Sequence, residues 1–322
     1  MGVRDTFNKL IIYLQRNPDR WPMAVTEPDE EIATGRLGPY QLDLTRRLED
    51  GHFMDFDENG LPVRFVDFQG KRPVHLYSTL CCFGLAHWDT YLKTGALSNQ
   101  EMLIRVADYV LATGIRMANG AVLLRGPGED GTDHAGPTDA LDLGQSLSVL
   151  CRAYQTTRDN RYLEMARGCM RTFNVEVGQG GIRRSSPVLG AVWYEEAVTP
   201  PLRHILNGMI CALWGLRDLA IVDRSAEAER LFVEGVDSVI RALPQFDTGF
   251  WSYYWIVEPP ARGYVATMNY HLLHICQLRE LWKQTGLEAL RTYADRFQEY
   301  ACRPTCRLRA FVGNIMARLP QR

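Results

Sequence analysis

Leu143-Gly144-Gln145-Ser146-Leu147-Ser148-Val149-Leu150-Cys151-Arg152-Ala153-Tyr154-Gln155-Thr156-Thr157 is followed, after the polar turn Arg158-Asp159-Asn160, by Arg161-Tyr162-Leu163-Glu164-Met165-Ala166-Arg167-Gly168-Cys169-Met170-Arg171-Thr172-Phe173. Both stretches space their apolar residues three and four apart, the period of one face of an α-helix. A short polar link between two such stretches predicts an antiparallel helical hairpin. The same pattern occurs at Leu76–Lys93 with Glu101–Met117, at Ile205–Val222 with Ala226–Leu243, and at His271–Gln284 with Leu287–Ala301. Matching positions in the first helices are Tyr91, Tyr154, Asp218 and Leu281, separated by 63, 64 and 63 residues. A repeat this regular reads as stacked hairpins. Curved arrays of this type form an incomplete α/α toroid, so the expected class is mainly α, with short inter-hairpin strands.

Outward from the hairpins, Ser98 and Glu101 read as a capping box, and Arg4–Leu14 and Cys306–Leu319 as helices closing the two ends. Phe53–Phe68 alternates around Asn59-Gly60, which predicts a small N-terminal β-hairpin. The expected division is 1–74 as a helix and β-hairpin segment packing on the toroid, and 75–322 as the toroid itself. Between hairpins lie Asn119–Pro137, Gly178–Pro201 and Pro244–Met268, all rich in glycine and aromatic residues. In a stack of hairpins these segments share one end, and that end is where a site is expected.

The 322 residues carry 36 Lys+Arg against 38 Asp+Glu, a net charge of −2. That balance excludes a whole-surface partner such as duplex nucleic acid, and any polyanion requires a local basic set. No run reaches a transmembrane span, and Met1–Arg16 lacks the pattern of a signal peptide. The expectation is a cytoplasmic or otherwise soluble chain, its compartment left open. The eight cysteines sit mostly in apolar helical runs, as in a reduced compartment, and Cys302 with Cys306 lacks the second pair a zinc site needs.

Trp193-Tyr194-Glu195-Glu196 reads as a strand whose two carboxylates point apart, so at most one faces a cleft. In Phe250-Trp251-Ser252-Tyr253-Tyr254-Trp255, alternation sets Phe250, Ser252 and Tyr254 on one face. His271 and His274 share a helix face, which permits metal ligation, but hydrogen bonding at a helix start facing the cleft is the preferred reading. Glu129-Asp130-Gly131-Thr132-Asp133-His134 reads as a solvated turn. Arg183, Arg184, Arg203 and Arg262 supply a local basic set.

At these residues the sequence resembles the D-glucuronyl C5-epimerases, which invert glucuronic to iduronic acid in heparan-type chains. The resemblance runs from Tyr77 onward, through Gly84-Leu85-Ala86-His87-Trp88, Gly144–Tyr154, Trp193-Tyr194-Glu195-Glu196, Leu206-Asn207-Gly208, Leu243–Gly249 and Asn269-Tyr270-His271. It implies an α/α-toroid catalytic domain, a catalytic carboxylate at Glu196 and functional tyrosines at Tyr254 and Tyr270. A third family tyrosine falls on Ala197, so Tyr194 joins the candidate proton carriers. The β-sandwich-like domain of vertebrate members, with its calcium site, is expected to have no counterpart here, because Lys93-Thr94-Gly95 runs straight into the next helix.

Inverting C5 removes a proton α to a carboxylate and returns one to the opposite face. The adjacent negative charge makes the carbanion worse, so the site must neutralise it. Arg184, Arg203, Asn207 and His271 are candidates, and Asn269 and Tyr77 complete the substrate-binding set. No cofactor or metal is expected. The expected partner is an acidic, heparosan-like polysaccharide, and a homodimer is compatible with the sequence. Three rivals stand beside this reading: a toroid lyase, which eliminates after the same abstraction, a glycoside hydrolase, which needs two carboxylates flanking the bond, and a non-catalytic glycan-binding array.

Overall fold

The computed structural model describes residue 13 and residues 21–67, 71–128, 132, 134–257 and 263–316. Eight helices form the four hairpins. We number helices from α1, Pro28–Thr34: the hairpins are α2 (Tyr77–Thr94) with α3 (Leu97–Thr113), α4 (Ala140–Thr157) with α5 (Asn160–Thr172), α6 (Leu206–Asp223) with α7 (Ala226–Phe246), and α8 (Met268–Thr285) with α9 (Glu288–Cys302). The first helix of each pair packs on the first helix of the next, α2 on α4, α4 on α6 and α6 on α8, with the second helices outside. The result is an open arc of hairpins, the incomplete α/α toroid. A last helix, α10 (Pro304–Met316), follows.

The inner helices end alike. Each first helix stops at a residue with left-handed backbone: Gly95 (φ 71°), Arg158 (φ 61°), Arg224 (φ 49°) and Gly286 (φ 69°). That conformation reverses the chain within two or three residues. The tightest packing is α4 against α6, where an added Cβ at Gly144 or Gly215 would overlap the facing backbone.

Three expectations shift. The second helix of the first pair begins at Leu97 with Ala96 as its N-cap and no side-chain cap, so the Ser98–Glu101 capping box does not form. It ends at Thr113, because Gly114 leads into strand β3 (Ile115–Arg116), which pairs with β4 (Val122–Leu123). Asn59-Gly60 does form a turn, with Asp57 Oδ1 accepting the Asn59 and Leu61 amides, but it closes only a Phe56–Pro62 bridge. The ladder comes later, between β1 (Arg64–Asp67) and β2 (Lys71–Val74). The expected helix at Arg4–Leu14 falls outside the described residues except Tyr13, as do most of Glu129–Asp133 and Arg262.

Candidate active site

Two small sheets sit at the N-terminal ends of the inner helices. One pairs β5 (Arg183–Ser186) with β6 (Ala191–Tyr194), and the other has the order β7 (His204–Ile205), β8 (Tyr253–Ile256), β9 (Tyr264–Val265). β7 runs directly into α6, so the turn after β6, the start of α6 and the middle strand β8 are held together.

The adjacent glutamates diverge as alternation predicts. Glu195 is 0% exposed, and its Oε1 accepts from His204 Nδ1 at 2.7 Å. His204 Nε2 is hydrogen-bonded to Ser186 Oγ at 2.9 Å. Glu196 instead lies over the first turn of α6, where a Cβ on Gly208 would overlap its Oε2. Its side chain is half-buried, yet Oε2 is sealed and without a hydrogen-bond partner among the described residues. Burial first, and the charge of Asp139 second, push the Glu196 carboxyl up to about 8. Asp139 is the N-cap of α4, accepting the Asp142 amide at 2.8 Å, and burial lifts its carboxyl to about 6. Asp142 is raised well above the usual range by burial and by Asp139. Three carboxyls in one recess therefore share fewer than three charges at neutral pH.

Tyr254 is the extra residue of a β-bulge: Tyr253 pairs with Val265 and Trp255 with Tyr264, leaving it unpaired between them. A bulge re-aims a side chain, and Tyr254 turns onto Tyr270, ring centroids 4.3 Å apart. Burial, then the Glu196 carboxylate, then Tyr270 hold its phenol well above the ordinary value, so it stays protonated. Glu196, Tyr254 and Tyr270 thus come together at the start of α6 and α8.

Other candidates lie elsewhere. Tyr194 is 0% exposed and donates to the Leu231 carbonyl of α7 at 3.0 Å, facing the outer helix. Tyr77 is buried and donates to Thr113 Oγ1 at 2.8 Å. His271 is a core residue, not a cleft residue. Its Nε2–H donates to the Phe297 carbonyl at 2.9 Å, Nδ1 accepts the Ser252 amide at 3.2 Å, and the ring stacks on Trp251 at 3.7 Å. Burial pushes its pKa down to about 3, so it is a neutral ring. His274 Nδ1 reaches the same Ser252 hydroxyl at 2.9 Å. Ser252 and Trp251 are both fully buried because the segment up to Ser252 is a tight turn around Gly249, and the expected alternation begins only at Tyr253.

Of the polar set, Asn207 is nearly buried on α6, its carbonyl accepting from Gln277 Nε2 at 3.0 Å. Asn269 is exposed, its carbonyl accepting from Trp21 Nε1 at 2.9 Å. Arg203 is exposed over the Trp255 ring at 5.5 Å, and Arg184 is half-buried on β5. Arg183 is held by Glu234 at 2.5 and 3.0 Å. Sequence reasoning missed Asp139; an acidic residue just before an apolar helix was the available signal for it.

A curved array of helical hairpins with a raised-pKa carboxyl beside paired tyrosines defines the class as an incomplete α/α toroid with an acid–base group at the mouth of its inner helices. The profile described as "D-glucuronyl C5-epimerase C-terminus" matches residues 127–299, and the chain belongs to that family. It is 32% identical over 176 residues to a D-glucuronyl C5-epimerase of Caenorhabditis elegans, covering 50% of this chain and 28% of that protein. An uncharacterised protein of Methanocaldococcus jannaschii is 32% identical over 162 residues, covering 50% of this chain and 51% of the other. The chain thus spans about half or less of the curated relatives it matches. Among solved structures, an unsaturated glucuronyl hydrolase from a Streptococcus is similar with a TM-score of 0.45 and 16% identity, over 72% of this chain and 58% of that one. A family 76 mannosidase of Bacteroides thetaiotaomicron gives 0.40 and 14%, over 80% and 64%.

Proposed function

We propose that the protein is a polysaccharide uronic acid C5-epimerase acting on glucuronate units of an acidic, heparosan-like glycan. The observation that carries this is the meeting of Glu196 with the Tyr254–Tyr270 pair in a chain of this family. A carboxyl poised near 8 serves as acid or base close to neutrality. It is largely uncharged when an anionic substrate arrives, so it does not repel the uronate. The phenol of Tyr254 remains a proton donor at any working pH. In this reading the ionised fraction of Glu196 takes the C5 proton from one face and a phenol of the tyrosine pair returns one to the other, leaving a protonated carboxyl and a tyrosinate between which a proton passes before the next turnover, and the reverse reaction runs from that swapped state. Asn207, Arg184 and Arg203 are the groups we assign to the substrate carboxylate and neighbouring hydroxyls. Tyr194, Tyr77 and His271 act as the frame around them.

The test is incubation of heparosan in deuterated water, with C5 exchange and iduronate formation read by NMR. Glu196→Gln and Tyr270→Phe are each expected to slow exchange on the order of a hundredfold or more. Exchange at the wild-type rate in both variants overturns the assignment. Absorbance from a new C4–C5 double bond identifies a lyase instead.

A further inference from the structure

Trp21, Arg47, His52 and Arg64 all precede the hairpins, and the structure sets them at the rim of the site. Trp21 is hydrogen-bonded to the carbonyl of Asn269, the residue before Tyr270. Arg47 lays its guanidinium over the Trp21 ring at 5.2 Å. Arg47 Nη1 and Arg64 Nη2 both reach His52 Nε2, at 3.5 and 3.3 Å. A guanidinium can only donate, so that ring nitrogen is the acceptor and the imidazole is neutral. Burial, then Arg47 and Arg64, hold the His52 pKa below its ordinary value, with Asp50 pulling the other way.

The short turn Thr45–Leu48, which carries Arg47, packs on α2, and the charges of Arg47 and Arg64 draw down the Cys82 thiol of that helix, which burial raises. The cation pair therefore lies between Trp21, on the Tyr270 side of the mouth, and the inner helix α2. Several arginines elsewhere are neutralised by acids: Arg152 by Asp218, Arg167 by Asp223, Arg183 by Glu234 and Arg217 by Glu31. Arg47 and Arg64 have no carboxylate hydrogen-bonded or ion-paired to them among the described residues. Asp50, the acid whose charge is felt at His52, has Oδ1 taken by the His52 amide at 2.9 Å. Two like charges held on one neutral nitrogen repel each other, and an oxyanion between their forks relieves that repulsion.

We propose that Arg47 and Arg64, converging on His52, form an anion subsite for a carboxylate or sulfate of the glycan, supplied to the toroid by the N-terminal segment. The subsite rests on the glycan reading given above and adds to it the residues that recognise charge. It also moves much of that recognition away from the inter-hairpin arginines.

The test is calorimetric binding of an unsulfated heparosan oligosaccharide, its N-sulfated form and its carboxyl-reduced form to the wild-type chain and to Arg47→Ala, Arg64→Ala and the double variant. Loss of tenfold or more in affinity for the unsulfated oligosaccharide in the double variant, with no change for the carboxyl-reduced form, assigns the subsite to a uronate carboxylate. A loss confined to the N-sulfated oligosaccharide assigns it to sulfate. Arg47→Lys with Arg64→Lys should restore part of the affinity, because the charge returns without the fork. On turnover, KM should rise with kcat kept. Wild-type affinity in the double variant overturns the subsite. If no oligosaccharide binds the wild type, the glycan reading fails, and the subsite is judged separately by sulfate and free glucuronate. Those ions should shift the His52 ring signals in NMR of the wild type and not of the double variant, and unshifted signals in the wild type reject it.

Discussion

Glu195 and Glu196 are chemically identical and one residue apart, yet burial separates their roles. Glu195 is locked to His204, whereas Glu196 faces a recess that holds it near 8. If Glu196 is the base, kcat/KM for proton abstraction rises with pH through about 8. Asp139→Asn removes the neighbouring charge, lowers that pKa and moves the rising limb to lower pH, measurable as a pH–rate profile of exchange. Stability carries the same signature with a definite sign. The native Glu196 holds its proton up to about 8 while the unfolded chain releases it near 4.3, so between these values the native state binds more protons and stability falls as pH rises. Glu196→Gln should accordingly raise Tm at pH 8 and change it little at pH 4. The pairing of Glu196 with tyrosines was legible through the family resemblance. The role of His271 was not, because polar spacing alone does not tell a ring facing a cleft from one satisfied by Ser252 and the Phe297 carbonyl.

Among the elements, the four hairpins were readable because each inner helix repeats one length and one polar break. Their ends were less so. Ser98 offered a cap that Ala96 pre-empts, since the helix starts one turn earlier than the apolar period suggests. The reversal at Arg224 places a side chain in left-handed backbone (φ 49°), which only glycine adopts freely. Arg224→Gly should stabilise the third hairpin by about 0.5–1 kcal/mol, net of the greater entropy of the unfolded glycine, read as a rise in Tm. The bulge at Tyr254 was invisible to alternation, because a single extra residue resets the faces of everything after it.

For the whole molecule, one core joins both sides of the expected division at 74. Tyr40, Leu42 and Leu44 are buried against the toroid helices, the Tyr40 amide donates to Asp89 Oδ1 of α2 at 2.8 Å, and Arg217 of α6 binds Glu31 of α1 at 2.7 Å. A chain beginning at residue 75 is expected to lose cooperative thermal unfolding, checked by circular dichroism. Inside the arc, Arg152 of α4 and Asp218 of α6 form a pair at 2.6 Å with both side chains 0% exposed. Asp218→Ala strands the guanidinium in the interior and should cost about 3–5 kcal/mol, measured by denaturant unfolding.

The four inner helices also start at one mouth. Each N-terminus carries roughly half a positive charge from its aligned peptide dipoles, so together they bias that mouth by about two charges. This field belongs to the backbone and cannot be mutated away. If the substrate is the acidic glycan proposed above, this field favours it at the mouth of a chain whose net charge is −2, and removing surface arginines should shorten its residence there more than it slows its arrival.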